Sequence, residues 1–240
     1  MVAMIPPKSS PLSNFRGALN SRCTGIALAN TIDILRIRQY WDGLQGTWDK
    51  NKKNRVSSQM LYKMGQAFDE LVDEEQLGST LRGVLRGFKQ NGVCLREGVN
   101  EDNDTWTLTI SRCKEARQII LGGYARLQPR LLDYQTALKE IGVVLVSART
   151  HSGWNQPQEG EISYDQGNID NWIGHAFVLV GYTSTGFLVL NSRGSEWGQW
   201  IDSSGKLWRG VAVWKYEDWY DNILDAWIIR LGVPYGHLEK

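Results

Sequence analysis

Two short apolar runs separated by a turn restrict this chain more than any other feature in it. The first is Gly174-His175-Ala176-Phe177-Val178-Leu179-Val180-Gly181-Tyr182. The second, Gly186-Phe187-Leu188-Val189-Leu190, continues into Asn191-Ser192-Arg193-Gly194-Ser195-Glu196-Trp197-Gly198. Runs this short, rich in Val, Leu and Phe and bounded by glycine, read as buried strands, and two strands joined by a turn pair as a hairpin. His175 opens the first strand and Asn191 closes the second, so the hairpin makes them neighbours. A polar group at the mouth of a buried strand pair needs a hydrogen-bond partner, and a carboxamide beside an imidazole fixes which ring nitrogen carries the proton. Such a pair orients a base. Far upstream, Cys23 heads a run that reads as a buried helix, where a nucleophile for that base is expected.

Size and composition narrow the setting. At 240 residues, 42% of them hydrophobic, the chain can build one large domain or two modest lobes. The longest apolar runs, such as 142–148 and 176–181, fall far short of the roughly 18 residues a membrane span needs. The N-terminal residues carry Pro6, Pro7 and Pro11 but no apolar stretch of signal-peptide length, so a cytoplasmic chain is expected, with export by another route left open. Three cysteines (Cys23, Cys94 and Cys113) allow at most one disulfide and read as reduced thiols. No metal site is expected, because Cys94 and Cys113 lack nearby histidine and paired ligand spacing, and no cofactor is implied. Net charge is +1, and the basic residues at 50–55 lie in a polar stretch without interleaved aromatics, which argues against nucleic acid as a partner. The chain holds 11 tryptophans, expected mostly in the core or between lobes. Nothing in the sequence sets an oligomeric state.

Hydrophobic periodicity divides the chain. Ile26, Leu28, Ile32, Leu35 and Ile37 recur at helical spacing from 24 to about 41, and Ala27, Ala29 and Ile34 extend the apolar surface around the axis, predicting a central helix buried on most sides. Ser57-Ser58-Gln59 reads as the capped start of a helix running to about residue 73. Gly78-Ser79-Thr80 opens another, with Leu81, Val84, Leu85 and Phe88 in one stripe and Gly92 at its end. Residues 97–123 give no clear pattern. A helix is predicted over 133–141, and beyond Gly142 the pattern changes to short strands at 143–146, 177–182, 187–190, 211–214 and 227–231. Helices first and strands later predict an α+β protein with approximate lobes at 1–125 and 126–240. A cleft between lobes is a favoured place for a site.

The order of a cysteine heading a buried helix, a histidine opening a strand and an asparagine closing the next resembles the papain-like cysteine peptidases. Cys23-Thr24-Gly25-Ile26-Ala27-Leu28-Ala29 looks like the nucleophile helix of their bacterial members. Gly174-His175-Ala176 looks like the histidine strand, and Asn191-Ser192-x-Gly194-x-x-Trp197-Gly198 like the asparagine motif. The 16-residue step from His175 to Asn191 also fits that spacing. The resemblance implies a helical N-terminal lobe, an antiparallel β-barrel-like C-terminal lobe, and a site in the cleft between them.

It further implies Cys23 as nucleophile, His175 as acid and base, and Asn191 as the residue orienting the imidazole. Gly78 and Ser79 would pair with the substrate main chain as a short strand. Gly174 and Trp197 complete the substrate-binding candidates, with Trp197 packing over the asparagine loop. A polypeptide is the implied substrate or partner.

Two positions depart from the family pattern. The glutamine expected six residues before the nucleophile is Gly17, and one extra loop residue would align Arg16 instead, so Arg16, Gly17 and Asn20 are the candidates for the missing oxyanion donor. Losing one such donor slows acyl chemistry by roughly 10²–10³-fold. The tryptophan expected after Asn-Ser, which covers the asparagine–histidine hydrogen bond, is Arg193. An inhibitory prosegment is also not expected, since 22 residues precede Cys23. Three functions are consistent with these features. The first is a thiol-dependent peptidase working through a thioester. The second is a catalytically impaired papain-like fold that binds a polypeptide or serves an assembly. The third is a glutamine deamidase or transamidase using the same triad.

Overall fold

A computed structural model describes residues 22–41, 55–69, 78–96, 106–164 and 173–233. Its described residues divide into two compact units: those in 126–228 form one, and those in 22–125 form the other together with 229–233.

In the first part of the chain three helices pack on one another: α1 (Cys23–Trp41), α2 (Ser58–Ala67) and α3 (Leu81–Asn91). Every residue from 24 to 33 is buried, as expected of a helix apolar around most of its circumference. Gly25 explains how α2 comes so close. A Cβ there would lie 2.6 Å from the Ser58 carbonyl and 2.7 Å from Tyr62 Cβ, so only glycine fits the contact. Buried Asp33 on α1 accepts the Val56 N–H at 3.1 Å, fixing the entry to α2. Ser57 then caps that helix by accepting the Met60 N–H at 3.0 Å. Thr80 caps α3 in the same way, accepting the Gly83 N–H at 2.9 Å. Gly92 ends α3 with φ of 67°, a left-handed conformation that suits glycine.

The stretch without sequence pattern holds a short helix, α4 (Ile110–Ala116), and a strand, β1 (Leu121–Arg126). Two of every three residues of β1 are exposed, so neither alternation nor an apolar run marks it in the sequence. The chain end returns to it, with the Gly232 N–H donating to the Ile120 carbonyl at 2.8 Å.

The other unit is built on an antiparallel sheet. After α5 (Leu131–Glu140) come β2 (Val144–Thr150), β3 (Ile173–Tyr182), β4 (Gly186–Leu190), β5 (Gln199–Ile201), β6 (Leu207–Arg209), β7 (Val211–Lys215), α6 (Tyr216–Asn222) and β8 (Ile223–Leu231). The main sheet runs β8-β2-β3-β4-β7, and β5 pairs with β6 in a separate ribbon. Among the described residues its outer strands do not pair with each other. The sheet is not closed into a barrel, and its antiparallel strands are compatible with the expected β-barrel-like lobe. The β5–β6 ribbon and α6 were not predicted: three-residue strands are too short for periodicity, and α6 (Tyr216, Glu217, Asp218, Trp219, Tyr220, Asp221, Asn222) reads as mixed aromatic and acidic.

α5 packs on β2 and β3 through Tyr134, Ala137 and Leu138. The core beneath is strongly aromatic, with Trp154 against Phe177 at 4.8 Å between ring centroids and edge-on to Trp214 at 5.4 Å. Tyr134 and Phe187 meet Trp219 in the same edge-on manner at 5.0 and 5.3 Å. Such pairs contribute roughly 0.5–1.5 kcal/mol beyond area burial, which makes this sheet face a rigid platform for the residues at its ends.

Candidate active site

The hairpin β3–β4 places His175 and Asn191 as its register requires. Val178 pairs with Leu190, so Asn191 emerges beside the start of β3, and His175 lies on the same face as Phe177 two residues on. His175 Nε2 and Asn191 Oδ1 are 2.8 Å apart. The Ser192 N–H also donates to that oxygen, at 2.7 Å. Because a backbone N–H can only donate, the atom it meets must be the carboxamide oxygen, and the ring nitrogen facing the same oxygen must carry its proton. His175 is therefore held as the Nε2–H tautomer, with Nδ1 left as a proton acceptor. Asn191 is buried, and its Nδ2 has no hydrogen-bond partner among the described residues. Turning the amide over would face that donor at the Ser192 N–H. Burial pushes the His175 pKa below its ordinary value of 6.5; the Asn191 hydrogen bond opposes the shift and the charge of Arg193 adds to it.

Arg193 occupies the position where an indole was expected. Its Nη1 lies 3.2 Å from both the Trp154 carbonyl and Asn155 Oδ1. These acceptors belong to a single 3₁₀ turn, Ser152–Trp154, and its C-cap. Trp197 ties to the same carbonyl through Nε1 at 2.6 Å and is buried in the core, its ring 6.1 Å from that of Trp154. Its side chain is part of the aromatic core. Gly174 is exposed, and a Cβ there would meet none of the described residues within 4 Å.

In the helical unit, Cys23 is the first residue of α1 and is partly exposed. None of the three cysteines is in a disulfide. The N–H groups of a helix's first turn have no intrahelical acceptor and, with the helix dipole, favour a thiolate there. Beside Cys23, Arg22 Nη1 donates to Gln59 Oε1 at 2.7 Å, and Thr24 Oγ1 meets Ser79 Oγ at 2.6 Å. The segment before α3 thus lies against the head of α1. Asp69 holds it from the other side, accepting the Thr80 N–H at 2.5 Å and the Thr80 hydroxyl at 3.0 Å. Among the described residues, a Cβ at Gly78 would meet nothing within 4 Å. Arg16, Gly17 and Asn20 lie outside the described residues.

His151 follows β2 and is buried, with Nε2 3.0 Å from Oδ2 of fully buried Asp218. The Gly153 N–H donates to its Nδ1 at 3.2 Å, so both ring nitrogens are engaged and neither is left to act on a substrate. No local signal could have found a pair 67 residues apart. Among the described residues there is no cluster of three metal-ligating side chains and no helix long and apolar enough to cross a membrane.

The fold is that of the papain-like cysteine proteases. Xylellain, a cysteine protease from Xylella fastidiosa, matches with a TM-score of 0.72 and 18% identity over 95% of this chain and 85% of that one. The cysteine protease and lectin-like domains of Cwp84, a surface layer associated protein of Clostridium difficile, match at 0.62 and 17% identity over 98% of this chain and 55% of that chain. Digestive procathepsin L 3 of Tenebrio molitor larval midgut matches at 0.55 and 18% identity, over 90% and 67%. No protein-family model matches the sequence, and no curated protein is significantly similar to it.

Proposed function

We propose that the protein is a thiol-dependent peptidase with Cys23 as nucleophile, His175 as acid and base, and Asn191 as the residue that orients the imidazole. The observation that carries this reading is the locked tautomer of His175: a ring held with Nε2–H on a carboxamide presents a basic Nδ1, which is what a thiol nucleophile requires. His175 Nδ1 takes the thiol proton, and the sulfur of Cys23 forms a bond to the substrate carbonyl carbon. When the tetrahedral intermediate collapses, the C–N bond breaks and His175 passes its proton to the departing amine, leaving a thioester. Water, deprotonated by His175, then cleaves the thioester and restores the thiol.

The Cys23 N–H would be one oxyanion donor, and Arg16, Gly17 or Asn20 would supply the side-chain or backbone donor that the family's glutamine gives. Gly78 and Ser79 would bind substrate main chain, and the open space at Gly78 among the described residues fits a backbone that a ligand approaches closely. Polypeptides are the proposed substrates, in line with the protease neighbours.

Iodoacetamide labelling followed by peptide mapping tests the reading. Cys23 should react ahead of Cys94 and Cys113, and its advantage should fade in His175→Ala. Equal labelling of all three cysteines in the folded protein would sink it. Arg193 in the indole position favours, as a second reading, a polypeptide-binding fold without turnover, and a thioester could also serve deamidation or transamidation. Mass spectrometry of treated polypeptides separates these, since chain cleavage, a one-dalton side-chain change and no change are distinct results.

A further inference from the structure

Arg193 stands two residues beyond the asparagine that orients His175, and its charge acts on that imidazole. It is exposed but not loose. Nη1 is held on the Trp154 carbonyl and Asn155 Oδ1, and that same carbonyl receives the buried Trp197 indole, so the guanidinium is anchored to the aromatic core. Both acceptors are neutral. Among the described residues no carboxylate pairs with Arg193, an exposed residue whose guanidinium is shielded from water only in part, enough to pull its pKa below the ordinary arginine value.

A partly desolvated cation without an anion gains more from a charge-assisted hydrogen bond than a solvated one does. With Nη1 engaged, Nε–H and the Nη2 protons, which have no hydrogen-bond partner among the described residues, form one planar edge of the guanidinium, a shape that matches the two oxygens of a carboxylate. Because the anchor already fixes the side chain, little conformational entropy is left to lose on binding.

The chemistry of the proposed reaction says which part of the substrate this edge meets. His175 hands its proton to the departing amine, so the segment beyond the scissile bond must lie against the imidazole, and groups beside the imidazole face that segment. Resting on the peptidase reading, we propose that Arg193 recognises a carboxylate on the leaving-group side of the scissile bond. The carboxylate would be either an acidic side chain there or the substrate's own C-terminal carboxylate.

Matched peptides test this, built on any sequence the wild-type protein cleaves in a peptide library. One pair carries Glu or Gln just after the cleaved bond within a long peptide; the other is a short peptide ending soon after that bond as a free acid or as an amide. The carboxylate member of at least one pair should show kcat/KM about tenfold above its neutral counterpart, the size expected of a charge-assisted hydrogen bond. Preference within the first pair identifies a side chain, and preference within the second identifies a chain end. The ratio should approach one in Arg193→Gln, survive in part in Arg193→Lys, and shrink as ionic strength rises. Equal cleavage of both members of each pair by the wild type, or a preference that persists in Arg193→Gln, overturns the assignment while leaving the peptidase reading intact. If no peptide of the library is cleaved, both fall.

Discussion

Replacing Asn191 with alanine separates orientation from stability in a way the geometry makes quantitative. The deleted oxygen accepts two hydrogen bonds, from His175 Nε2 at 2.8 Å and from the Ser192 N–H at 2.7 Å. Ser192 is buried, so its orphaned amide costs about 1–3 kcal/mol, while the partly buried imidazole can turn toward water and costs less. The same substitution removes Nδ2, a buried donor that already lacks a partner and so carries a penalty of about 1–3 kcal/mol in the native protein. These contributions largely cancel. Net destabilisation should stay below about 2 kcal/mol, a fall in Tm of only a few degrees for a chain of this size.

Catalysis has no such offset. Without the carboxamide the ring loses both its tautomer and its aim, and a fraction of the roughly 10²–10⁴-fold from general acid–base chemistry goes with them. A 10–100-fold loss of kcat/KM is about what removing an orienting partner of an imidazole produces. The assay combines urea unfolding with cleavage rates of a peptide substrate, each on wild type and Asn191→Ala, at a temperature where both proteins are folded. A loss of activity no larger than the unfolded fraction would refute the assignment of Asn191 as an orienting residue.

Other expectations follow from the same structure. Gly25→Ala forces a methyl to within 2.6 Å of the Ser58 carbonyl and should cost about 1–3 kcal/mol by urea unfolding, whereas Gly78→Ala meets nothing among the described residues and should leave Tm unchanged while raising KM. A loss of stability at Gly78 with no change in KM would reverse the roles given to the two glycines. Asp218→Ala strands His151 Nε2 and Asn222 Nδ2, now 3.0 and 2.8 Å from the carboxylate, and should destabilise the fold by about 3 kcal/mol; a change under about 0.5 kcal/mol would show the pair to be dispensable. Burial lowers the His175 pKa below 6.5 in the folded state, so the unfolded chain binds more protons just below that pH. Stability from this group is complete above 6.5 and is lost as pH falls toward the folded-state value. Urea midpoints measured across that window should drop in the wild type more steeply than in His175→Gln, and parallel curves would contradict the shift.

Local patterns carried much of this protein into view. The caps Ser57 and Thr80, the periodic apolar positions of α1 and α3, and the short valine-rich strands each report on neighbours a few residues away, where helix and strand periods act. His175 and Asn191 were legible because a hairpin turns 16 residues of sequence into one hydrogen bond. The order of strands in the sheet, the β5–β6 ribbon and the weakly patterned β1 were not, since strand order and exposure depend on what packs across the whole unit. Tertiary structure alone decided that His151 is a buried partner of Asp218, that Trp197 belongs to the core, and that Arg193 is anchored on a turn 39 residues upstream. Each of these depends on which distant backbone carbonyl or carboxylate lies within about 3 Å, a distance set by sheet register and aromatic packing, to which no short stretch of sequence corresponds.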